Sequence, residues 1–274
     1  MAELAMQQSV PVQSLAVSIS AYVALISALT VRDLRTEHRN ASLGILLSVA
    51  QPVAAGFIFY LFSEVMGLRP TPIRGDAATF LVLGFLMFFL HTRTVAAVGG
   101  AIKKDMMNHQ RATPFLFICV KAFALLYKSL FAVAILLVLN LLARDLWVMQ
   151  DGLTFLTTML AAWIGGVAVG TLMMALHFYV SWAALVQTLY VRTMFFTSGV
   201  FFVANGPASG LRDFLGWNPL FHLLDQMRGA VFLNYTARTT DLGYAISVYL
   251  GLLLLGFLVE AHIRRTYSIS RLPC

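Results

Sequence analysis

Charged residues and cysteines are both scarce in this sequence. Asp, Glu, Lys and Arg make up 11% of the 274 residues, whereas soluble domains contain about 25%. The two cysteines, Cys119 and Cys274, are too few for a disulfide framework or a thiolate metal site. A soluble fold needs polar surface to cover its core, so this composition argues against a water-soluble globule.

Catalytic signatures are missing as well. The sequence contains no G-x-x-x-x-G-K-[ST] nucleotide loop, no H-E-x-x-H zinc motif and no G-x-S-x-G nucleophile turn. The six histidines are scattered along the chain. The sequence therefore predicts neither an enzyme active site nor a metal or cofactor site in this chain.

Apolar residues are abundant. They make up 59% of the chain, and the mean hydropathy is +0.81, which predicts an integral membrane protein. Lipid cannot satisfy open backbone groups, so the spans must be helices. Runs of about 20 mostly apolar residues predict six of them, at about 43–63, 77–98, 116–141, 153–179, 183–204 and 242–261.

The basic residues predict the orientation. Cytoplasmic loops of membrane proteins collect Lys and Arg, which explains the formal net charge of +7 without a nucleic-acid partner. A six-span topology with both ends in the cytoplasm places nine of the 19 basic residues there: Arg32, Arg35, Arg39, Lys103, Lys104, Arg111, Arg264, Arg265 and Arg271. Residues 262–274 then form a cytoplasmic tail.

The N-terminal part, residues 1–42, allows two interpretations. Residues 15–31 are uncharged and nearly long enough to span. We favour a helix along the cytoplasmic interface, amphipathic where it enters the basic stretch of Arg32, Arg35 and Arg39. A seventh span is the alternative, and the charge rule does not distinguish the two. No basic n-region precedes the apolar stretch, so we expect the N-terminus to be retained.

Residues 205–235, between the last two predicted spans, form the most informative loop. Asn218 and Pro219 read as an N-cap and a first helical residue, and two short helices are predicted at about 207–215 and 219–233. We expect a re-entrant hairpin in the outer leaflet, which is tolerated where its broken backbone is buried in protein. An amphipathic hairpin lying flat on the outer surface is the alternative.

The cytoplasmic loop 99–114 combines basic, acidic and amide side chains. A short helix here could dock on a soluble partner, and a solvated turn that obeys the charge rule is the alternative. The residues predicted to dock are Lys103, Lys104, Asp105, Asn108 and Arg111.

Lys128 lies inside the third predicted span, seven residues after Lys121. A lone ammonium in lipid is expensive, so Lys128 either reaches the interface along its stem or faces an aqueous path and attracts an anionic substrate. The same two interpretations apply to Arg93 and Arg192 in the second and fifth predicted spans. Only Glu260, at the end of the last span, adds a carboxylate to any predicted span.

Two side-chain patterns concern packing and stacking. Ala162, Gly166 and Gly170 form a small-residue face that favours close helix contact. Aromatic side chains gather around the fifth predicted span, where they could stack on sugar rings or form an interfacial belt. They are Tyr190, Phe195, Phe196, Phe201, Phe202, Phe214, Trp217 and Phe221.

Two segments in the first half of the chain carry a family resemblance. RDLRTEHRNASLGILLSVAQP at 32–52 resembles the R-x-[LI]-[RK]-T-[RK]-x6-LG core that leads into the first span of ABC-2 type permeases that export capsular polysaccharide or O-antigen. T-R-T at 92–94, followed by the basic loop up to Pro114, is a second similarity.

The best match lies between the last two predicted spans. FFTSGVFF at 195–202, WNPLFH at 217–222 and Arg228 resemble that family's F-x-S-G-x-[FM]-F, WNP-[LV]-x-H and R signature. Together the three matches cover most of the chain from about residue 30 onward.

The resemblance implies a half-transporter in the bacterial inner membrane. Two copies would line one pathway, and two separate ATP-binding subunits would hold ATP and Mg²⁺, so this chain needs no cofactor. Residues 99–114 would be a coupling helix, and the helix of Arg32, Arg35 and Arg39 would guard the cytoplasmic entrance. Residues 205–235 would gate the periplasmic exit, with Asn218, His222 and Arg228 among the gate residues.

The implied function is ATP-driven export of a lipid-linked, acidic capsular polysaccharide. By analogy, a periplasmic co-polymerase and an outer-membrane channel would continue the path. Export of O-antigen, another glycolipid or a small lipophilic compound is the alternative within transport. A membrane enzyme acting on lipid-linked sugars is disfavoured, because no pair of carboxylates lies within the predicted spans.

Overall fold

The fold is built from helices. The computed structural model describes residues 12–36, 41–65, 77–101, 114–144, 150–205 and 213–269, and no strand occurs in these ranges. The main helices are α1 (Val12–Thr36), α2 (Ala41–Val65), α3 (Ala77–Gly99), α4 (Pro114–Arg144), α5 (Gly152–Tyr179), α6 (Ala183–Thr197), α7 (Pro219–Val231) and α8 (Leu242–Ile269).

Four of these helices are long and apolar enough to cross a membrane. Their apolar segments are Thr79–Gly99, Pro114–Val138, Gly152–Tyr179 and Leu242–Thr266. The shortest contains 21 residues, which at about 1.5 Å per residue covers a hydrocarbon core of roughly 30 Å. The chain is thus a multi-pass membrane protein, and four of the predicted spans coincide with these helices.

The apolar helical segments over the other two predicted spans are shorter, although α2 itself contains 25 residues. The apolar segment of α2 is Ala50–Val65. The span predicted at 183–204 begins as expected, but α6 ends at Thr197 after 15 residues, which rise only about 22 Å. Gly199 adopts a positive φ of 78°, a conformation that glycine tolerates and that ends the helix.

The centre of the bundle is the packing of α3 and α8 against α5. A methyl group at Gly166 would lie 2.7 Å from the Thr94 side chain of α3, and one at Gly170 would lie 2.7 Å from Val98. The backbones of α3 and α5 therefore approach as closely as glycine permits. The predicted small-residue packing face is confirmed.

Helix α1 packs along α4 and is tied to it by an ion pair. Nζ of Lys121 lies 2.5 Å from Oδ1 of Asp33. Lys121, which lies seven residues before Lys128 in the third predicted span, therefore has a carboxylate partner on another helix. Arg32 is exposed on α1. Arg35 lies in α1, and Arg39 lies outside the described residues.

The α3–α5 contact predicts a selective effect of adding one methyl group. Gly166→Ala should lower stability by about 1–3 kcal/mol, because the new methyl group collides with a packed neighbour. Gly251→Ala on α8 is the matched control, since nothing lies within 4 Å of the added methyl group. Thermal unfolding in detergent measures both variants, and equal stability of the two would contradict the close approach.

Candidate functional site

A buried polar network joins the non-helical segment 198–205 to α7. At its centre is Arg228, a fully buried side chain on α7. Its Nη1 donates to the carbonyl oxygens of Gly199 (2.7 Å) and Phe202 (2.6 Å), and Nη2 donates to that of Val200 (2.6 Å). Three carbonyl groups in the non-helical segment after α6 therefore accept hydrogen bonds from a charged donor.

Helix α3 completes the surroundings of Arg228. The guanidinium carbon lies 3.7 Å from the centroid of the Phe80 ring, within the range of a cation–π interaction. A methyl group at Gly84 would lie 3.1 Å from Nη2 of Arg228, so a glycine leaves the room that the guanidinium needs. The family motif indicated Arg228 as a gate residue, and here it holds the segment behind α6 together.

Asp225, one turn before Arg228, organises the loop that follows α7. Its carboxylate accepts hydrogen bonds from the backbone N–H of Ala204 (3.0 Å), from the Thr240 hydroxyl (2.9 Å) and from the Tyr235 hydroxyl. Burial and the neighbouring Asp225 charge raise the pKa of Tyr235, so this phenol keeps its proton as a donor. The chain before α7 and the chain after it are thus joined through one buried carboxylate.

Asn218 and His222 attach the start of α7 to its neighbours. Asn218 caps the helix by accepting from the backbone N–H of Leu220 (3.0 Å), and its Nδ2 donates to the Thr197 hydroxyl (3.0 Å). The predicted helix start at Asn218 and Pro219 is confirmed. His222 Nδ1 accepts from the N–H of Asp241 (2.9 Å), so Nε2 carries the hydrogen donated to the Gly216 carbonyl (2.8 Å).

The predicted aromatic set separates into packed and exposed side chains. Phe195 and Phe201 lie 5.1 Å apart between ring centroids and pack with Phe59 of α2. Phe202 packs on Phe221, with centroids 6.0 Å apart. These four predicted residues therefore contribute to the packing of the chain.

Three aromatic side chains remain exposed near the same end of the molecule. Phe196 is 69% exposed on α6, Phe214 is 67% exposed and Trp217 is 51% exposed. The backbone carbonyl of Trp217 accepts a hydrogen bond from the Tyr244 hydroxyl (2.9 Å), which positions the residue against α8. These three rings are the most exposed members of the predicted aromatic set.

The predicted cations have different environments. Arg192 is exposed on α6. Lys128 is only 6% exposed and lines a cleft between α2, α3 and α4 together with Arg93. The docking residues Lys103, Lys104, Asp105, Asn108 and Arg111 lie outside the described residues, as does most of the predicted first hairpin helix.

A second hydrogen-bond network contains Tyr190, which belongs to the predicted aromatic set, and His91, whose partners were not predicted from the sequence. Nδ1 of His91 donates to the Ala162 carbonyl (3.0 Å), and the Tyr190 hydroxyl lies 2.7 Å from Nε2, so a hydrogen-bond chain joins α3, α5 and α6. Asp225, Tyr235 and Thr240 were also missed. The only signal was the three-residue spacing of Asp225 and Arg228 on one helix face.

A metal centre finds no support in the part of the chain that the structure describes, where no three His, Cys, Asp or Glu residues converge. The carbonyl groups of Gly199, Val200 and Phe202 accept hydrogen bonds from Arg228, whereas Nε of Arg228 and the Ser198 hydroxyl have no hydrogen-bond partner among the described residues. The hydrogen bonds from Arg228 hold the segment after α6 against α7.

Comparison with known proteins identifies the family. Residues 24–232 match the ABC-2 type transporter family. The chain belongs to this family. Two Escherichia coli proteins, both named polysialic acid transport protein KpsM, are 24% identical to it over 244 residues, which cover 84% of this chain and 91% of each relative. The family resemblance inferred from the motifs is confirmed, and the ABC-2 chain is a membrane-embedded component of a transporter.

The network predicts a large loss on removing Arg228. Arg228→Met should lower stability by about 3 kcal/mol or more, because each buried carbonyl left without a donor costs about 1–3 kcal/mol. Arg238→Met, at an exposed loop position, is the control and should have little effect. Thermal unfolding of the purified protein measures both variants. A wild-type melting temperature for Arg228→Met would contradict the proposed role of Arg228 in holding residues 198–205 against α7.

Proposed function

We propose that this ABC-2 chain is the membrane subunit of an ATP-driven exporter that moves a lipid-linked, acidic capsular polysaccharide across the bacterial inner membrane. The observation that carries the proposal is the match to two polysialic acid transport proteins along 84% of the chain, together with the family match. The exposed aromatic rings near the end of α6 support it, because sugar rings pack well on aromatic faces.

The proposed topology has six crossings and both termini in the cytoplasm. Residues 1–42 form the interface region, residues 43–261 the transmembrane domain and residues 262–274 the tail. The crossing that begins with α6 continues through the non-helical segment 198–205, and α7 belongs to a re-entrant hairpin. The hydrogen bonds from Arg228 to the carbonyls of residues 199, 200 and 202 support this placement. Irregular backbone is tolerated at membrane depth only where its polar groups have partners. A hairpin lying flat on the outer surface is the alternative.

The proposed assembly is a homodimer with two ATP-binding subunits that hold ATP and Mg²⁺. Residues 99–114 act as the coupling helix on these subunits, and α1 guards the cytoplasmic entrance with Arg32, Arg35 and Arg39. A periplasmic co-polymerase and an outer-membrane channel continue the path. ATP binding closes the partner dimer and moves the coupling helix, which shifts the spans and opens a path past Phe196 and Trp217.

Two other functions compete with this proposal. An ABC-2 exporter of O-antigen, another glycolipid or a small lipophilic compound would share the same helices, and cell-surface polymer in a deletion strain discriminates between them. A membrane enzyme acting on lipid-linked sugars would need acid and base groups at one depth. Among the four described helices that are long and apolar enough to span, Glu260 is the only acidic residue, which disfavours that class.

The assembly predicts an associated ATPase. The purified wild-type chain should retain an ATP-binding subunit, and ATP hydrolysis should respond to extracted glycolipid. Replacing Lys103 and Lys104 with Glu should reduce both retention and stimulation, because the reversed charge disrupts docking. The matched charge reversal of Arg264 and Arg265 at the end of α8 should leave docking intact. Equal losses in both variants, or none in either, would contradict the coupling role of residues 99–114.

The exposed aromatic rings predict an export defect without a folding defect. Phe196→Ala and Trp217→Ala should reduce surface polysaccharide while preserving the amount of folded protein, because neither ring is buried. Trp182→Ala is the control, since this ring is 61% exposed at the opposite end of α6. Quantification of surface polymer in cells provides the measurement, and unchanged export in the first two variants would exclude a role for these rings.

A further inference from the structure

Glu260, near the end of α8, is a buried carboxylate that the networks around α7 do not use. Only 3% of its surface is exposed. It is the only acidic residue in the four described helices that are long and apolar enough to span. A carboxylate inside a membrane helix is costly, and such residues are usually functional. Its contacts therefore indicate which part of the molecule it serves.

The carboxylate of Glu260 binds the first turn of α4. It accepts a hydrogen bond from the backbone N–H of Phe115, and its Oε1 lies 3.8 Å from Nε of Arg264. The first N–H groups of a helix have no partner within the helix, and the first turn of α4 contains no acidic residue of its own. The negative charge that stabilises the positive end of α4 is therefore supplied by α8.

An aromatic contact joins the same two helix ends. The ring centroids of Phe115 and Phe257 lie 5.7 Å apart, within the range of a favourable aromatic pair. Phe257 and Glu260 are three residues apart, so they lie on the same face of α8. One face of α8 thus contacts both the backbone and the side chain of Phe115.

Helix α4 is much less enclosed than α3, the helix on the other side of residues 99–114. Within the chain, 72% of the most apolar stretch of α3 is buried, against 33% of that of α4. Helix α3 is also held against Gly166 and Gly170 of α5 at the closest approach of the two backbones. Because fewer packed contacts must shift, a displacement of residues 99–114 moves the start of α4 more easily than the end of α3.

We propose that Glu260 is a positioning residue that makes the start of α4 and the end of α8 move as one unit. The inference rests on the proposed function, in which residues 99–114 dock on the ATP-binding subunits, and it adds the route by which their motion reaches α8. Residues 99–114 lead directly into Pro114, the first residue of α4. A shift of residues 99–114 therefore shifts Phe115, and the bond to Glu260 carries α8 with it.

Glu260→Met tests this role, because it keeps the approximate size of the side chain and removes the acceptor. The assembled complex should retain the ATP-binding subunit and its basal ATP hydrolysis, but glycolipid should no longer stimulate hydrolysis. Surface polymer per assembled complex should fall about tenfold, as expected for the loss of a charge-assisted hydrogen bond. Glu260→Gln should restore most of the export, because its amide oxygen can still accept from Phe115.

Two variants of α8 are the controls. Arg264→Gln removes the cation beside Glu260 and leaves the contact with α4 in place. Gly256→Ala, one turn before Glu260, adds a methyl group whose nearest neighbours belong to α5, with the Thr171 side chain at 3.2 Å. Both should export as the wild type does at equal amounts of complex. An equal loss of export in Gly256→Ala and Glu260→Met would show a general effect of altered α8 packing and would overturn the inference.

A covalent link tests the common movement even if Glu260→Met fails to fold. Phe115→Cys and Phe257→Cys, in a chain whose Cys119 and Cys274 are replaced by Ser, are joined by a short bifunctional methanethiosulfonate reagent. The crosslinked complex in nanodiscs should keep its glycolipid-stimulated ATP hydrolysis, because the two helix ends need not separate. Loss of stimulation on crosslinking, with recovery on reduction, would show that they do separate and would overturn the inference.

The retained ATP-binding subunit separates this inference from the proposed function. Wild-type export and stimulation in a monodisperse Glu260→Met complex would overturn the role of Glu260 and leave the proposed function intact. A wild-type chain that binds no ATP-binding subunit and supports no polymer export would overturn the proposed function and, with it, the coupling of α4 to α8.

Discussion

The contact between the Arg228 guanidinium and three backbone carbonyls is the interaction on which the packing of α7 against the segment after α6 depends. The chain leaves the helical conformation after Thr197, and carbonyl groups without donors are costly inside an apolar environment. Gly199, Val200 and Phe202 each share the same buried cation. Hydrogen bonds from α7 therefore stabilise the chain where α6 ends.

Three interactions of charged side chains in the described part of the chain join elements that are distant in the sequence. Arg228 joins α7 to the end of α6, and Asp225 joins α7 to the loop before α8. Lys121 joins α4 to Asp33 of α1. In a membrane, apolar side chains gain little from leaving lipid for protein, so close packing and polar contacts decide which helices associate. A chain with 11% charged residues can thus specify its helix arrangement with very few of them.

Much of the helical architecture could be predicted from the sequence, because hydrophobic length and backbone hydrogen bonding leave a membrane chain few options. The span at 77–98 and the small-residue face at Gly166 and Gly170 are present as expected. The fifth span was predicted to continue to residue 204, but helix α6 ends at Thr197. Every residue from Phe201 to Ala204 is apolar, so hydropathy does not register the end of the helix. The positive φ of Gly199 and the distant Arg228 produce that break.

The sequence by itself determined a helical membrane protein, its main spans, its family and the cap at Asn218, since these follow from local composition, spacing and motif. Only the tertiary structure decided the roles of individual side chains. Phe195 and Phe196 are adjacent and chemically identical, yet Phe195 is partly buried against the core and Phe196 is exposed. Likewise, Arg93 and Lys128 line one cleft only because α3 and α4 bring them together. Which neighbours surround a residue depends on contacts between distant segments, and a linear pattern does not encode them.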